Sequence, residues 1–275
     1  MIYDVLIIGS GASAVNAAYP LVEAGLSVGM LDFGNQDVVY SKLVPDAPFL
    51  EVRRTDPHQH QYFLGNRFEG IPCGGVQAGP QLTPPRQYIT KDTPELTPVV
   101  SNTLSPFATL ALGGMASGWG AGAFPFNESD LRDFPISRDD LAPHYEKVAE
   151  RVGISGEMDD LAPFDGELKA MLPPLRIDRN AATILDRYHR RRKKLNAAGF
   201  YMGKTRLAAL SQPYRGRGPD RYLDMSFWGD TDKSVWRPHY TLKELQSSTK
   251  FSYRPFLLVE SFKELKDGTI EVISK

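Results

Sequence analysis

The first 33 residues constrain the fold more than any other part of the chain. Val5-Leu6-Ile7-Ile8 is a short apolar run that leads straight into Gly9-Ser10-Gly11-Ala12-Ser13-Ala14. An amphipathic stretch follows to Gly25, then a second apolar run from Leu26 to Leu31 that ends on Asp32. This order predicts strand, glycine turn, helix, strand and acid, at the spacing of a dinucleotide-binding β–α–β unit. Gly9 permits the sharp turn off the strand, and Gly11, without a Cβ, lets the backbone come close to a pyrophosphate. Ala14 takes the third small position, where helix and strand pack tightly. The N–H groups and the positive dipole end of the helix then face the phosphates. Asp32 stands 21 residues after Gly11, at the distance expected of an acid that bonds a ribose hydroxyl. No Arg or Lys follows in Phe33-Gly34-Asn35-Gln36 to receive a 2′-phosphate, which argues against NADP.

A chain of 275 residues can bury a sizeable core, as one large domain or two small ones. Its net charge of −1 points neither to nucleic acid nor to an anionic membrane. Cys73 is the only cysteine, so an internal disulfide and a Cys-rich metal site are both excluded. It lies beside Gly74-Gly75 with nothing nearby to lower its pKa, and reads as an unreactive thiol. No apolar run approaches the length of a membrane span. The first strand begins by about Tyr3, which leaves no room for a signal peptide, and the cytoplasm is the expected address.

Residues 35–110 show little periodicity and hold ten of the 21 prolines, between Pro45 and Pro106. The expectation is an extended segment with short strands, wrapped over a ligand or a neighbouring domain. Within it, Pro57-His58-Gln59-His60 reads as a polar loop, because no carboxylate or Cys partner stands at metal-ligand spacing. A second glycine-rich segment, Leu112-Gly113-Gly114-Met115-Ala116-Ser117-Gly118-Trp119-Gly120-Ala121-Gly122, sets glycines around one Trp and one Ser. Its apolar approach from Phe107 to Leu112 favours a wall against a flat or anionic ligand over a loop tip.

Ser137 and Asp140 have capping-box spacing, and Leu141, Tyr145, Val148 and Val152 make one apolar face that Gly153 stops. Pro143 suits a first helical turn, so a short turn is expected ahead of the main helix. A second helix is expected over 180–198, with Ile184, Leu185, Tyr188 and Leu195 inward and the Arg190-to-Lys194 run as a solvated face. The last forty residues read as strands, with Asp267-Gly268 as a hairpin turn.

Together these motifs resemble the glucose-methanol-choline (GMC) family of flavin oxidoreductases. Tyr3-Asp4-Val5-Leu6-Ile7-Ile8-Gly9-Ser10-Gly11 is similar to the family's FAD fingerprint. Gly113-Gly114-Met115-Ala116-Ser117-Gly118-Trp119-Gly120 resembles its second flavin-contacting motif, with Ala116 where many members have Ser. Phe134-Pro135-Ile136-Ser137 through Leu141-Ala142-Pro143-His144-Tyr145 resembles its Trp-Pro-Ile-Ser…Leu-x-Pro-Tyr-Tyr stretch, and Arg237-Pro238…Val259 resembles the return to the FAD domain.

The fold this implies is α/β: a Rossmann-like FAD-binding domain with an inserted, incomplete second region. Its expected parts are a β–α–β unit over 1–34, the extended segment over 35–110, a flavin-contacting segment and helix over 111–155, part of a substrate region over 156–240, and return strands over 241–275. The resemblance implies FAD as cofactor, held by Gly9, Ser10, Gly11, Ala12, Ser13, Ala14, Asp32, Phe33, Gly113, Gly114, Ser117, Trp119, Gly120 and the backbone of Val259. It implies oxidation of a CH–OH group in an alcohol or sugar-like substrate. The family's catalytic His lies in a C-terminal half that these residues do not include, and none of His58, His60, His144, His189 or His239 stands in its context. No catalytic residue is therefore assigned, and a missing half or a partner chain is expected to complete the enzyme. Two alternatives stay open: an NAD-dependent dehydrogenase, and a non-catalytic FAD-binding chain that needs a partner.

Overall fold

The N-terminal apolar run forms β1 (Val5–Ile8), which passes through the glycine turn into α1 (Ala12–Glu23) and on to β2 (Val28–Leu31). The computed structural model describes residues 2–71, 83–103 and 107–275; the expected setting of Cys73 lies outside them. The structure is mixed α/β with a small parallel sheet. It divides into two compact units, one built from residues 1–119, 222–230 and 237–275, the other from 120–221 and 231–236.

In the first unit, β2 is the central strand of a three-stranded parallel sheet in the order β1-β2-β5, where β5 is Phe251–Arg254. Val5 pairs with Val28, and Val28 with Phe251. All four residues of β2 are buried, so the strand is apolar throughout rather than alternating. Gly29 is required there, because a Cβ would lie 2.8 Å from Leu6 Cδ1 and from the Tyr3 ring. Val15 and Ala18 of α1 are buried.

Helix α8 (Pro238–Leu245) corrects the expectation that the last forty residues are strands. Pro238 pre-sets the first turn, and Thr241, Leu242 and Leu245 recur at helical spacing as its buried face. The hairpin does form, from β6 (Val259–Glu264) and β7 (Ile270–Ser274). Its turn has Gly268 at φ +80°, and the Thr269 hydroxyl donates to Asp267 at 2.6 Å. Phe256-Leu257-Leu258 precede the strand and tie it to the parallel sheet's end: Phe256 N–H donates to the Phe33 carbonyl and Leu257 N–H to that of Asp32.

Short helical turns replace the strands expected over 35–110. They are α2 (Phe49–Thr55), α3 (His60–Phe63), a 3-10 turn over Pro84–Ile89, and α4 (Thr93–Leu96). Prolines open three of them, at Pro48, Pro84 and Pro94, because a fixed φ suits a first helical turn. Val52, Tyr62, Phe63 and Met225 form a core cluster, with the Trp228 ring stacked on Phe49 at 5.6 Å and edge-on to Phe63 at 4.5 Å. His60, expected in a loop, instead starts α3, and its ring stacks on Phe68 at 5.8 Å.

In the second unit, α5 (Arg138–Val152) starts on the expected capping box and ends at Gly153 with φ +76°. The helix runs through Pro143 without a separate turn. The missing N–H falls near the helix start, where the carbonyl left without a partner is at an exposed turn. Ile154–Ser155 (β3) pairs parallel with Met171–Leu172 (β4), flanking α6 (Ala162–Asp165). Helix α7 (Arg179–Ala197) is capped by Asp178, which accepts from Ala181 N–H at 2.7 Å. Tyr188 is its buried anchor, and its hydroxyl donates to Asp160. Ile184, expected inward, is exposed, and the Arg190-to-Lys194 face is exposed as expected. Among the described residues no helix is long and apolar enough to cross a membrane.

Candidate functional site

Gly9 leaves β1 at φ +86°, a conformation open to glycine, and its N–H donates to the Leu31 carbonyl at 2.7 Å. Gly11 then starts α1 in extended backbone. No side chain caps this helix, and its first turn carries no acid. The N–H groups of the first turn therefore remain available to a ligand at the positive end of the dipole.

The second glycine segment is brought to the same place by a parallel bridge between Asn35 and Ala111. Asn35 N–H donates to the Leu110 carbonyl, and Leu112 N–H to that of Asn35, both at 2.9 Å. Gly113 and Gly114 then turn at φ +82° and +61°. A Cβ on Gly114 would sit 3.1 Å from the Gly11 Cα, so the two glycine segments meet backbone to backbone. Between them opens a cavity of about 590 Å³, lined by Ile8, Gly11–Ala14, Met115, Ala116, Gly118 and Trp119. Its size lies within the roughly 300–1,000 Å³ usual for small-molecule sites. A Cβ placed on Gly11 would meet no atom within 4 Å, so the approach to the helix start is open.

Of the residues expected to hold a cofactor, Gly11, Ala12, Ser13, Ala14 and Trp119 line this cavity. Others stand behind it and hold its walls together. Ser10 is buried; its hydroxyl donates to Asp32 and accepts from Gly113 N–H at 2.8 Å. Tyr253 on β5 donates to the same Asp32 oxygen at 3.0 Å. Asp32 is only 7% exposed, and burial pushes its carboxyl above the usual aspartate range, against the pull of the Ser10 and Tyr253 hydroxyls. Burial and the neighbouring Asp32 push the Tyr253 hydroxyl up as well.

Ser117 is fully buried and returns its hydroxyl to the Leu112 carbonyl at 2.6 Å, closing the turn. Phe33 is half-buried, and its carbonyl accepts from Phe256 N–H. Val259 lies in β6, paired with Ser274, and is not part of the cavity lining. Gly120 is exposed and begins the second unit.

Two residues of the site escaped the sequence reading. Tyr253 reaches Asp32 because β5 runs beside β2, opposite Met30, a pairing that no local pattern carries. Arg86, in the Pro84–Ile89 turn, is buried and donates to the Ser117 carbonyl at 3.4 Å and to the Ser226 carbonyl. The same turn backs the glycine segment closely: a Cβ on Gly118 would lie 2.5 Å from Ile89 Cδ1. Among the described residues, no group of three or more His, Cys, Asp or Glu is placed to hold a metal ion. No protein-family model matches the chain, and no curated protein matches it.

Proposed function

We propose that the first unit is an FAD cradle of Rossmann-like type, belonging to an oxidoreductase that acts on CH–OH groups of an alcohol or sugar-like substrate. One observation carries this reading: the uncapped start of α1 and the Met115–Trp119 segment line the same cavity. The open helix start suits a pyrophosphate. Ile8, Met115 and Trp119 offer apolar surface to a flat ring system, and the glycines let backbone approach it. Two of the motifs that resemble the GMC family, the N-terminal fingerprint and the 113–120 segment, meet here, and a nicotinamide site alone would not require the second. Bound in this cavity, FAD would accept hydride from the substrate's carbinol carbon while a general base takes the hydroxyl proton. The chain's share is to bind the phosphates, orient the ring against Trp119 and keep water from it.

Among the described residues, none of the lining side chains titrates. That favours, as a second reading, a cradle whose catalytic base comes from residues beyond these or from a partner chain. The test of both is titration of the purified chain with FAD and with NAD, followed by flavin fluorescence and calorimetry. FAD binding in the micromolar range or tighter, with NAD at least tenfold weaker, is expected, a gap of about 1.4 kcal/mol. Equal or stronger NAD binding would overturn the flavin assignment.

A further inference from the structure

On the flavin reading above, we infer that Arg86 acts from behind the cavity wall as the cation that favours the reduced, anionic form of the bound flavin. Arg86 is 7% exposed, so its charge is nearly dehydrated. Among the described residues, its hydrogen-bond acceptors are the backbone carbonyls of Ser117 and Ser226, which orient the guanidinium without neutralising it. Among the described residues no carboxylate lies within ion-pair distance, and residues 72–82 and 104–106 contain no Asp or Glu. Arg237 adds a second positive charge nearby, and the Asp230 carboxylate acts against it. Burial and Arg237 pull Arg86 down to about 10, which still leaves it protonated at neutral pH.

The placement gives this charge its purpose. Ser117 accepts from Arg86, while Ala116 and Gly118 on either side of it line the cavity. One layer of backbone therefore separates the guanidinium from the ligand. A buried cation without a direct ion-pair partner is costly, and a further negative charge nearby lowers that cost. Hydride transfer supplies such a charge: the substrate's C–H bond breaks, an N–H bond forms on the flavin, two electrons enter the ring, and the ring gains one negative charge. The substrate's hydroxyl proton goes to a base. A fixed cation behind the ring end of the cavity interacts more favourably with the ring after this step than before it, and so raises the flavin's midpoint potential.

The experiment is an anaerobic reductive titration of the FAD-loaded chain with dithionite against a reference dye, for wild type, Arg86→Lys and Arg86→Gln. Lys keeps the charge and loses the fork; Gln keeps an N–H donor for the wall carbonyls and loses the charge. The expected result is a near-wild-type potential for Arg86→Lys. For Arg86→Gln the preference for reduced over oxidised flavin should fall about tenfold, a drop of about 30 mV. Equal potentials in wild type and Arg86→Gln would overturn the role of Arg86 and leave the flavin reading standing. Loss of FAD by both variants would also overturn it, making Arg86 a strut of the wall. A wild-type chain that binds no FAD would overturn the flavin reading itself.

Discussion

Gly11 is the residue where function can be removed with the fold left in place. It starts α1 at φ −65°, and an added Cβ meets nothing within 4 Å. In a Gly11→Val chain the thermal midpoint should stay close to wild type, while the branched side chain takes cavity space at the helix start. FAD affinity should fall at least tenfold, about 1.4 kcal/mol, by fluorescence titration. Unchanged affinity would move the phosphates elsewhere. Asp32 differs, because it was legible as a ribose acid yet stands buried as the acceptor for Ser10 and Tyr253. Its carboxyl is raised above the unfolded value, so the folded state binds its proton more tightly. This group's contribution to stability is therefore present below the ordinary aspartate range and is lost as pH rises through the raised value. Urea unfolding from pH 4 to pH 7 should show the wild type losing ground to Asp32→Asn as pH increases. A pH-independent difference would mean that Asp32 titrates normally.

At the scale of elements, local chemistry predicted starts and stops better than it predicted faces. Ser137 and Asp140 make the reciprocal cap read from their spacing, and Gly153 ends the same helix in a left-handed conformation. Removing the cap with Ser137→Ala should cost about 1 kcal/mol in urea unfolding followed by helical circular dichroism. FAD affinity should not move, because residues of the first unit alone line the cavity. A drop in affinity would extend the site beyond that lining. The exposed side of α7 shows where periodicity misleads: Ile184 has inward spacing, yet Tyr188 alone is buried on that helix. The prolines of 35–110 suit extended backbone by their sequence, yet in the structure they open helical turns, since a fixed φ near −65° serves either outcome.

At the scale of the whole molecule, the cavity's lining among the described residues offers binding surface and no proton acceptor. Its lining of glycine, alanine, serine, isoleucine, methionine and tryptophan holds no group that titrates near neutral pH. The FAD-loaded chain should therefore reduce its flavin with alcohols and sugars roughly 10²–10⁴-fold more slowly than an enzyme with a positioned base. Anaerobic stopped flow over a substrate panel would show this, and rapid bleaching of the flavin band would reveal a base within these residues.

The β–α–β unit, the capped helix and the hairpin turn at Asp267-Gly268 were all determined by the sequence itself. Each depends on groups a few residues apart: a glycine at a positive φ, a hydroxyl accepting from a nearby N–H, apolar residues at a fixed period. The tertiary structure alone decided that Gly114 meets Gly11, that Tyr253 shares Asp32 with Ser10, and that Arg86 lies behind Ser117. Those contacts join residues from 22 to 221 positions apart. They follow from which strands pair and which turn packs behind a wall, and no short stretch of chain carries that information.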